Sequence, residues 1–159
     1  MKLIALSKGK FAKVDDDLYD QLHQYNWHFD GKYARRNIRV NGKLIHIYMH
    51  KVVAGIDGMV DHKDIDTLNN QRDNLRPATK QLNAVNTRKQ ANRSSQYKGV
   101  SKEKSQWRTQ IWYNNKRHYD ALFPDERIAA LAYDLNVYAL FGEYARLNFP
   151  EAILVCSSG

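Results

Sequence analysis

From Val60 to Asn86 the chain reads VDHKDIDTLNNQRDNLRPATKQLNAVN, and no other stretch constrains the fold as strongly. Val60-Asp61-His62 reads as a short strand, Asp64–Arg72 as a polar loop, and Asn74-Leu75-Arg76 as the start of a returning strand. Pro77 marks a boundary, because the residue before a proline is disfavoured in the α conformation. Thr79 can then cap a helix running to about Arg88, with Ala78, Leu82 and Val85 as its apolar face. Asn83 and Asn86 lie off that face, which lets Asn83 face the Asp61-His62 strand. The side chains suit one chemistry. Asp61 offers a hard oxygen ligand, Asn83 a second, and His62 a base titrating near pH ~6.5. A cation on a phosphate with a base beside it for water is what a one-metal phosphodiesterase needs.

The Asp-His pair, the Asn twelve residues after the His and the Asn nine beyond it resemble the H-N-H nuclease family, in the branch that includes homing endonucleases. The resemblance implies a ββα-metal module with a β-rich lead-in, a strand hairpin and helix around one metal ion. It implies that His62 is the general base and that Asn74, the central Asn, holds the loop and orients the His. Asp61 and Asn83 fall on the metal-ligand positions. Two protein oxygens with open positions for water and phosphate suit one Mg²⁺ or Mn²⁺ rather than a closed zinc site. His50, in MHKVVAG, matches a His commonly found upstream of the motif and is a supporting candidate. The products implied are a 5′ phosphate and a 3′ hydroxyl, in a phage or mobile-element setting.

Charge points to a polyanion. Of a formal net charge of +8, the stretch Arg76 to His118 carries +10 and the remainder −2. Phosphate neutralisation releases counterions and drives binding, so a basic centre between near-neutral flanks predicts nucleic acid as partner. Arg76, Lys80 and Arg88 are the expected phosphate contacts of the motif. The single cysteine, Cys156, excludes a disulfide framework and a four-cysteine zinc site. No apolar run is long enough for a signal peptide or a membrane span, so the expected setting is cytoplasmic, with no membrane and no small-molecule cofactor.

Ahead of the motif, Lys2–Leu6 and Phe11–Val14 flank a turn at Gly9, and Tyr33–Val40 and Leu44–Met49 bracket Asn41-Gly42, a strong hairpin signal. Asp15 or Asp16 can cap a helix carrying Leu18, Leu22 and Tyr25. Met49–Ala54 reads as a short helix or turn. Residues 1–88 are therefore expected to form the nuclease domain, its motif spanning 49–88, with 89–95 as a basic linker.

From Gln96 the pattern becomes three strands, Tyr97–Ser101, Gln106–Tyr113 and Lys116–Phe123, and a helix capped by Asp125 that ends at Gly142. The expected core stripe of that helix is Ile128, Leu131, Ala132, Leu135, Tyr138 and Ala139. Alternation on the middle strand puts Trp107, Thr109 and Ile111 under the helix and Arg108, Gln110 and Trp112 on the other face. The segments SSQYKGVS, QWRTQIW, NNKRH, AALAYD and FGEYARLNFP resemble the APETALA2-type DNA-binding domain. That resemblance implies a three-stranded antiparallel sheet packed on one helix, over residues 96–150 with a tail at 151–159. The sheet would enter the major groove of duplex DNA. Expected DNA contacts here are Lys98, Arg108, Gln110, Trp112, Arg117 and Tyr119. The chain departs from the family at Asp120-Ala121-Leu122, so base specificity does not carry over.

The fold class is thus α+β, and the function a metal-dependent DNA endonuclease targeted by its C-terminal domain. Two other readings fit parts of the chain: a DNA-binding regulator with an inactive nuclease half, and an RNA-binding module. The Asp61, His62, Asn74 and Asn83 set argues against the first, and the base-reading sheet against the second.

Overall fold

Local turn chemistry organises the first third of the chain. In the computed structural model, which describes residues 1–91 and 93–154, β1 (Lys2–Ala5) pairs antiparallel with β2 (Phe11–Val14). The Asn41-Gly42 turn has positive φ at both residues, 50° and 76°, the geometry that matches the twist of a hairpin. It joins β4 (Ala34–Val40) to β5 (Lys43–Tyr48), and a two-residue β3 (His28–Phe29) completes that sheet at its base. Between the two sheets, the helix expected from Asp15 or Asp16 is a 3-10 turn followed by the short α1 (Tyr19–His23). Asp15 does not cap it; its carboxylate instead accepts from the Arg72 amide at 2.9 Å, and Arg72 ion-pairs with Asp17 at 2.8 Å.

The chain divides into two compact units, Met1–Lys80 and Gln81–Gly159. In the first, Ile4, Leu6, Ala12, Val14, Leu22, Trp27, Ala34 and Met49 form one apolar cluster. α2 (Met49–Ala54) leads into β6 (Met59–His62), which pairs antiparallel with β7 (Leu75–Ala78). Pro77 lies inside β7, opposite Val60, rather than at a strand–helix boundary. A sheet of two strands leaves each with a free edge, where a residue lacking an N–H is tolerated.

The helix that follows, α3 (Lys80–Val85), stops short of the expected Arg88. Its apolar residues Leu82 and Val85 pack against Ile111, Tyr133, Val137 and Phe141 of the second unit. The division between units therefore falls inside the stretch 1–88 that sequence grouping made one domain.

The second unit is a three-stranded antiparallel sheet with β9 (Gln106–Tyr113) between β8 (Val100–Glu103) and β10 (Lys116–Phe123), covered by α4 (Glu126–Phe141). A short α5 (Pro150–Leu154) follows; Cys156, the rest of the 151–159 tail and linker residue Asn92 lie outside the described residues. Asp125 caps α4 as expected, accepting from the Ile128 amide at 2.9 Å. The buried face of α4 differs from the expected stripe. Ala129, Ala130, Tyr133, Asp134, Val137 and Phe141 are buried, whereas Ile128 and Leu135 are half exposed. Close approach of helix to sheet explains the choice. Thr109 reaches the Ala129 carbonyl at 2.8 Å, a distance only small residues on the facing turn allow. The Asp134 carboxylate is buried because it accepts from the Asn148 and Phe149 amides, at 2.9 and 2.7 Å, and from the Asn148 side chain at 3.0 Å. Asn148 in turn bonds the Lys98 backbone in both directions, at 2.8 and 3.1 Å, tying the loop before β8 to the chain after α4.

Both units are α+β with small antiparallel sheets. No described helix is long and apolar enough to cross a membrane.

Candidate nuclease centre and nucleic-acid surface

Strand pairing decides what lies beside His62. Register puts His62 opposite Leu75 and Asp61 opposite Arg76, so the Arg76 guanidinium meets the Asp61 carboxylate inside the hairpin. Nε and Nη2 of Arg76 reach Oδ2 at 2.9 and 2.8 Å, with both side chains almost fully buried. Arg76 is therefore not the surface phosphate contact that charge counting suggested; it neutralises a carboxylate that burial would otherwise penalise.

His62 is 5% exposed. Burial lowers its pKa, partly offset by the Asn70 side chain and by Asp64, Asp61 and Asp66, and this favours the neutral imidazole. Its Nε2 lies 3.4 Å from Asn70 Oδ1. Asn70 is fully buried and locked by its own contacts: its side chain donates to the Leu68 carbonyl at 3.2 Å and its amide to the Lys13 carbonyl at 2.8 Å. Asn74 works one step further away. Its Oδ1 accepts from the Asp64 amide at 3.0 Å, and its Nδ2 donates to Asp64 Oδ1 and to the Asn69 carbonyl, at 2.9 and 2.8 Å. Asn74 thus shapes the loop that carries Asn70, and Asn70 touches the imidazole. Asp64 and Asn70 join the site by tertiary placement; in sequence they are two polar residues in a polar loop.

The loop is clamped from the N-terminal hairpin. Lys13 ion-pairs with Asp66 at 3.0 Å, and its backbone exchanges hydrogen bonds with Leu68 and Asn70, both 2.8 Å. At the loop's start Ile65 takes φ +61°, a left-handed conformation costly for a β-branched residue.

His50 stands beside His62, ring centroids 5.3 Å apart and nearly perpendicular. Tyr33 lies against both imidazoles, at 4.8 and 6.1 Å, and Tyr48 stacks on His50 at 5.6 Å. Burial, then the neighbouring His62 and Lys51, push the His50 pKa down to about 4. Its Nδ1 is buried without a hydrogen-bond partner among the described residues.

No group of three or more His, Cys, Asp or Glu side chains able to hold a metal occurs among the described residues. The donors of the expected site are accordingly few and hard. Asp61 offers a carboxylate beside His62, its Oδ2 engaged by Arg76; Asn83, the other expected ligand, lies on α3 in the second unit. A hard carboxylate oxygen fits an ion that keeps most of its shell for water and phosphate, as magnesium does. Lys80, at the first turn of α3, is exposed.

In the second unit the outer sheet face carries Arg108, Gln110 and Trp112 as alternation predicts, with Trp112 61% exposed. The face is less basic than counting implies. Arg108 forks onto Asp120 through Nε and Nη2 at 2.8 and 2.7 Å and reaches Glu103 at 2.8 Å; Arg117 also pairs with Asp120, at 2.6 Å. The Arg108 fork holds the Asp120 carboxyl down at about 2. Gln110, with its amide oxygen turned to Arg108, accepts from the same guanidinium at 3.0 and 3.2 Å.

Tyr119 is not on this face. A bulge between Arg117 and Tyr119 shifts the register so that Tyr119 pairs with Ile111 and packs into the apolar core. Arg88, Lys98, Gln110 and Trp112 do come together, lining one open cleft of about 480 Å³ with Lys89 and Arg93. Within it, Lys98 donates its ammonium to the Val85 carbonyl at the end of α3, and burial lowers its pKa to about 8.

Over 155 residues, 92% of this chain and 79% of the relative, the sequence is 32% identical to an uncharacterized HNH endonuclease of Acanthamoeba polyphaga mimivirus. A second similarity, 41% identity over 63 residues, covers 39% of this chain and 17% of an AP2/ERF and B3 domain-containing protein of Oryza sativa subsp. japonica. No family model and no solved structure matches the chain.

Proposed function

The chain belongs to the HNH endonuclease family, and on that footing we propose that it hydrolyses phosphodiester bonds in duplex DNA with the help of one Mg²⁺ or Mn²⁺. The observation that carries this reading is the buried, neutral-favouring His62 held beside Asp61 on the motif hairpin, with its Nε2 against Asn70. With Nε2–H donated to Asn70, the lone pair sits on Nδ1, the nitrogen that takes a proton from the attacking water. The water oxygen attacks phosphorus, the bond to the 3′ oxygen breaks, and a 5′ phosphate and 3′ hydroxyl result. Asp61 and Asn83 would hold the cation, which supplies positive charge against the phosphate and the departing oxygen. Asn74 and Asp64 keep the loop, and through it Asn70 and His62, in one geometry.

The second unit supplies affinity and placement, presenting the outer face of its sheet to the major groove in the manner of an APETALA2-type domain. Trp112 and Gln110 meet base edges, Arg108 and Arg117 act within their Asp120 network, and Arg88 and Lys80 take phosphates. A virus or mobile element acting inside its host cell is the fitting setting.

A plasmid-nicking assay tests the reading. The purified chain should nick in Mg²⁺ or Mn²⁺ and stop in chelator. His62→Ala should be slower by roughly 10²–10⁴ while keeping its DNA affinity. Near-wild-type cutting by that variant would remove His62 from the mechanism. DNA binding by a wild-type chain that never nicks would instead make the protein a regulator with an inert nuclease half.

A further inference from the structure

Counting charge over the whole flank hides a local excess in the nuclease unit. From Gly31 to Ile56 there are six Lys or Arg residues and no acid. Four of them, Arg35, Arg36, Arg39 and Lys43, belong to the β4–β5 hairpin. β3 pairs only as far as Arg35, so beyond that residue the hairpin is a ribbon of two strands with no third beside it among the described residues. Asn37, Arg39, Val40, Lys43, Leu44, Ile45 and His46 are all exposed.

The ribbon's cations are not equivalent. Arg36 lies over the Tyr25 ring at 3.6 Å, and Arg35 is engaged by His28 at 3.3 Å and by Asp30 at 3.9 Å. Arg39 and Lys43, flanking the tip, have no ion-pair partner among the described residues. Register places Asn37 opposite His46 and Arg39 opposite Leu44, on the same face as Arg35 and Tyr48. Asn37 Oδ1 and His46 Nδ1 are 2.7 Å apart, a fixed polar pair at mid-ribbon. At the base of that face, Tyr33 and Tyr48 stack against His50 and, through Tyr33, against His62. That face thus runs unbroken from the candidate base to Arg39 at the tip, while Lys43, opposite Val40, projects from the other face.

We propose that this ribbon is a second duplex-DNA contact, entering the major groove to one side of the scissile phosphate, with Arg39 and Lys43 on flanking phosphates and the Asn37–His46 pair facing base edges. The inference rests on the nuclease reading for its placement beside the cut. A two-stranded ribbon has the width the major groove admits. Exposed Leu44, on the face of Asn37 and His46, supplies apolar contact to thymine methyls, which a purely phosphate-tracking arm would not need. The five steps along β5 from Tyr48 to Lys43 span about 17 Å at the rise of a strand, or about five base pairs of B-form DNA.

The test uses the full chain in chelator, so that binding is read without cleavage. Arg39→Ala/Lys43→Ala should bind duplex DNA about tenfold more weakly than wild type near 0.2 M salt. The slope of log affinity against log salt should flatten by about two, the signature of two lost phosphate contacts. Arg39→Lys/Lys43→Arg should keep the wild-type slope. Both positions are exposed, so circular dichroism should be unchanged. In a footprint, wild-type protection about five base pairs to one side of the cut should vanish in the Ala double variant. An unchanged slope with an unchanged footprint overturns the proposal, as does a loss confined to RNA or single strands. If the slope flattens but wild-type protein with Mg²⁺ does not nick, the ribbon contact stands and the nuclease reading falls. A wild-type chain without duplex affinity at low salt overturns both.

Discussion

Asp61 and Arg76 face each other across the motif hairpin as cross-strand partners, a buried carboxylate held at 2.8 and 2.9 Å by a buried guanidinium. The pair fixes the strand that carries His62. Removing one partner strands the other charge away from water, which typically costs about 3–5 kcal/mol. Arg76→Ala should therefore lower the stability of the first unit by about that much. Asp61→Asn/Arg76→Met, which leaves no charge behind, should recover much of the loss. Denaturant unfolding of the three proteins checks this; equal stability of Arg76→Ala and wild type would mean the pair is not desolvated.

Stability should fall on mild acidification because of His50. In the unfolded chain it titrates near pH ~6.5, while in the fold burial and His62 hold it at about 4. A depressed pKa means the unfolded state binds the proton first. The folded state thus keeps its full advantage above about pH 6.5 and loses it progressively as pH falls towards about 4, on the order of 3 kcal/mol in all. His50→Phe also removes the unpartnered Nδ1. It should flatten the change in unfolding free energy between pH 7 and pH 5. An equally steep profile in the variant would assign the acid sensitivity elsewhere.

Gly99 should be the least replaceable glycine of the second unit. Its φ is +77°, and a Cβ there would lie 2.0 Å from the ring of Tyr133, which is itself buried. Gly99→Ala should destabilise that unit by about 3 kcal/mol or more, because ring and backbone cannot both stay. Gly42→Ala, at φ +76° but in open space, should cost only about 1 kcal/mol. Thermal unfolding of the two variants separates clash from strain.

Asp120→Asn should strengthen DNA binding. The carboxylate now neutralises Arg117 and shares Arg108 with Glu103, so its loss frees Arg117 and leaves Arg108 held by Glu103. Salt dependence should steepen by about one in log–log slope, with affinity rising at low salt and discrimination between sequences falling. Weaker binding by the variant would show instead that Asp120 holds Arg108 in its reading pose.

What could be read from the chain alone is what neighbours in sequence decide. The Asn41-Gly42 turn, the Asp125 cap and the inward-facing Thr109 and Ile111 follow from positive-φ chemistry, capping and period-2 alternation, all short-range. The spacing of Asp61, His62, Asn74 and Asn83 pointed to the family for a related reason: a motif of fixed offsets is legible along the chain without its fold. Tertiary structure decided which charges remain available. Arg76 and Lys98 look like surface cations in the sequence, yet one is buried on Asp61 and the other caps the Val85 carbonyl, because partners 15 and 13 residues away arrive only on folding. A one-residue bulge turned Tyr119 from the outer face into the core. α4 buried Ala129, Ala130 and Asp134 in place of Ile128 and Leu135, since close helix–sheet approach and a satisfied carboxylate outweigh the burial of two larger side chains. Asn70 reached His62 through a loop whose shape depends on Asn74, Asp64 and Lys13, three contacts that no periodicity encodes.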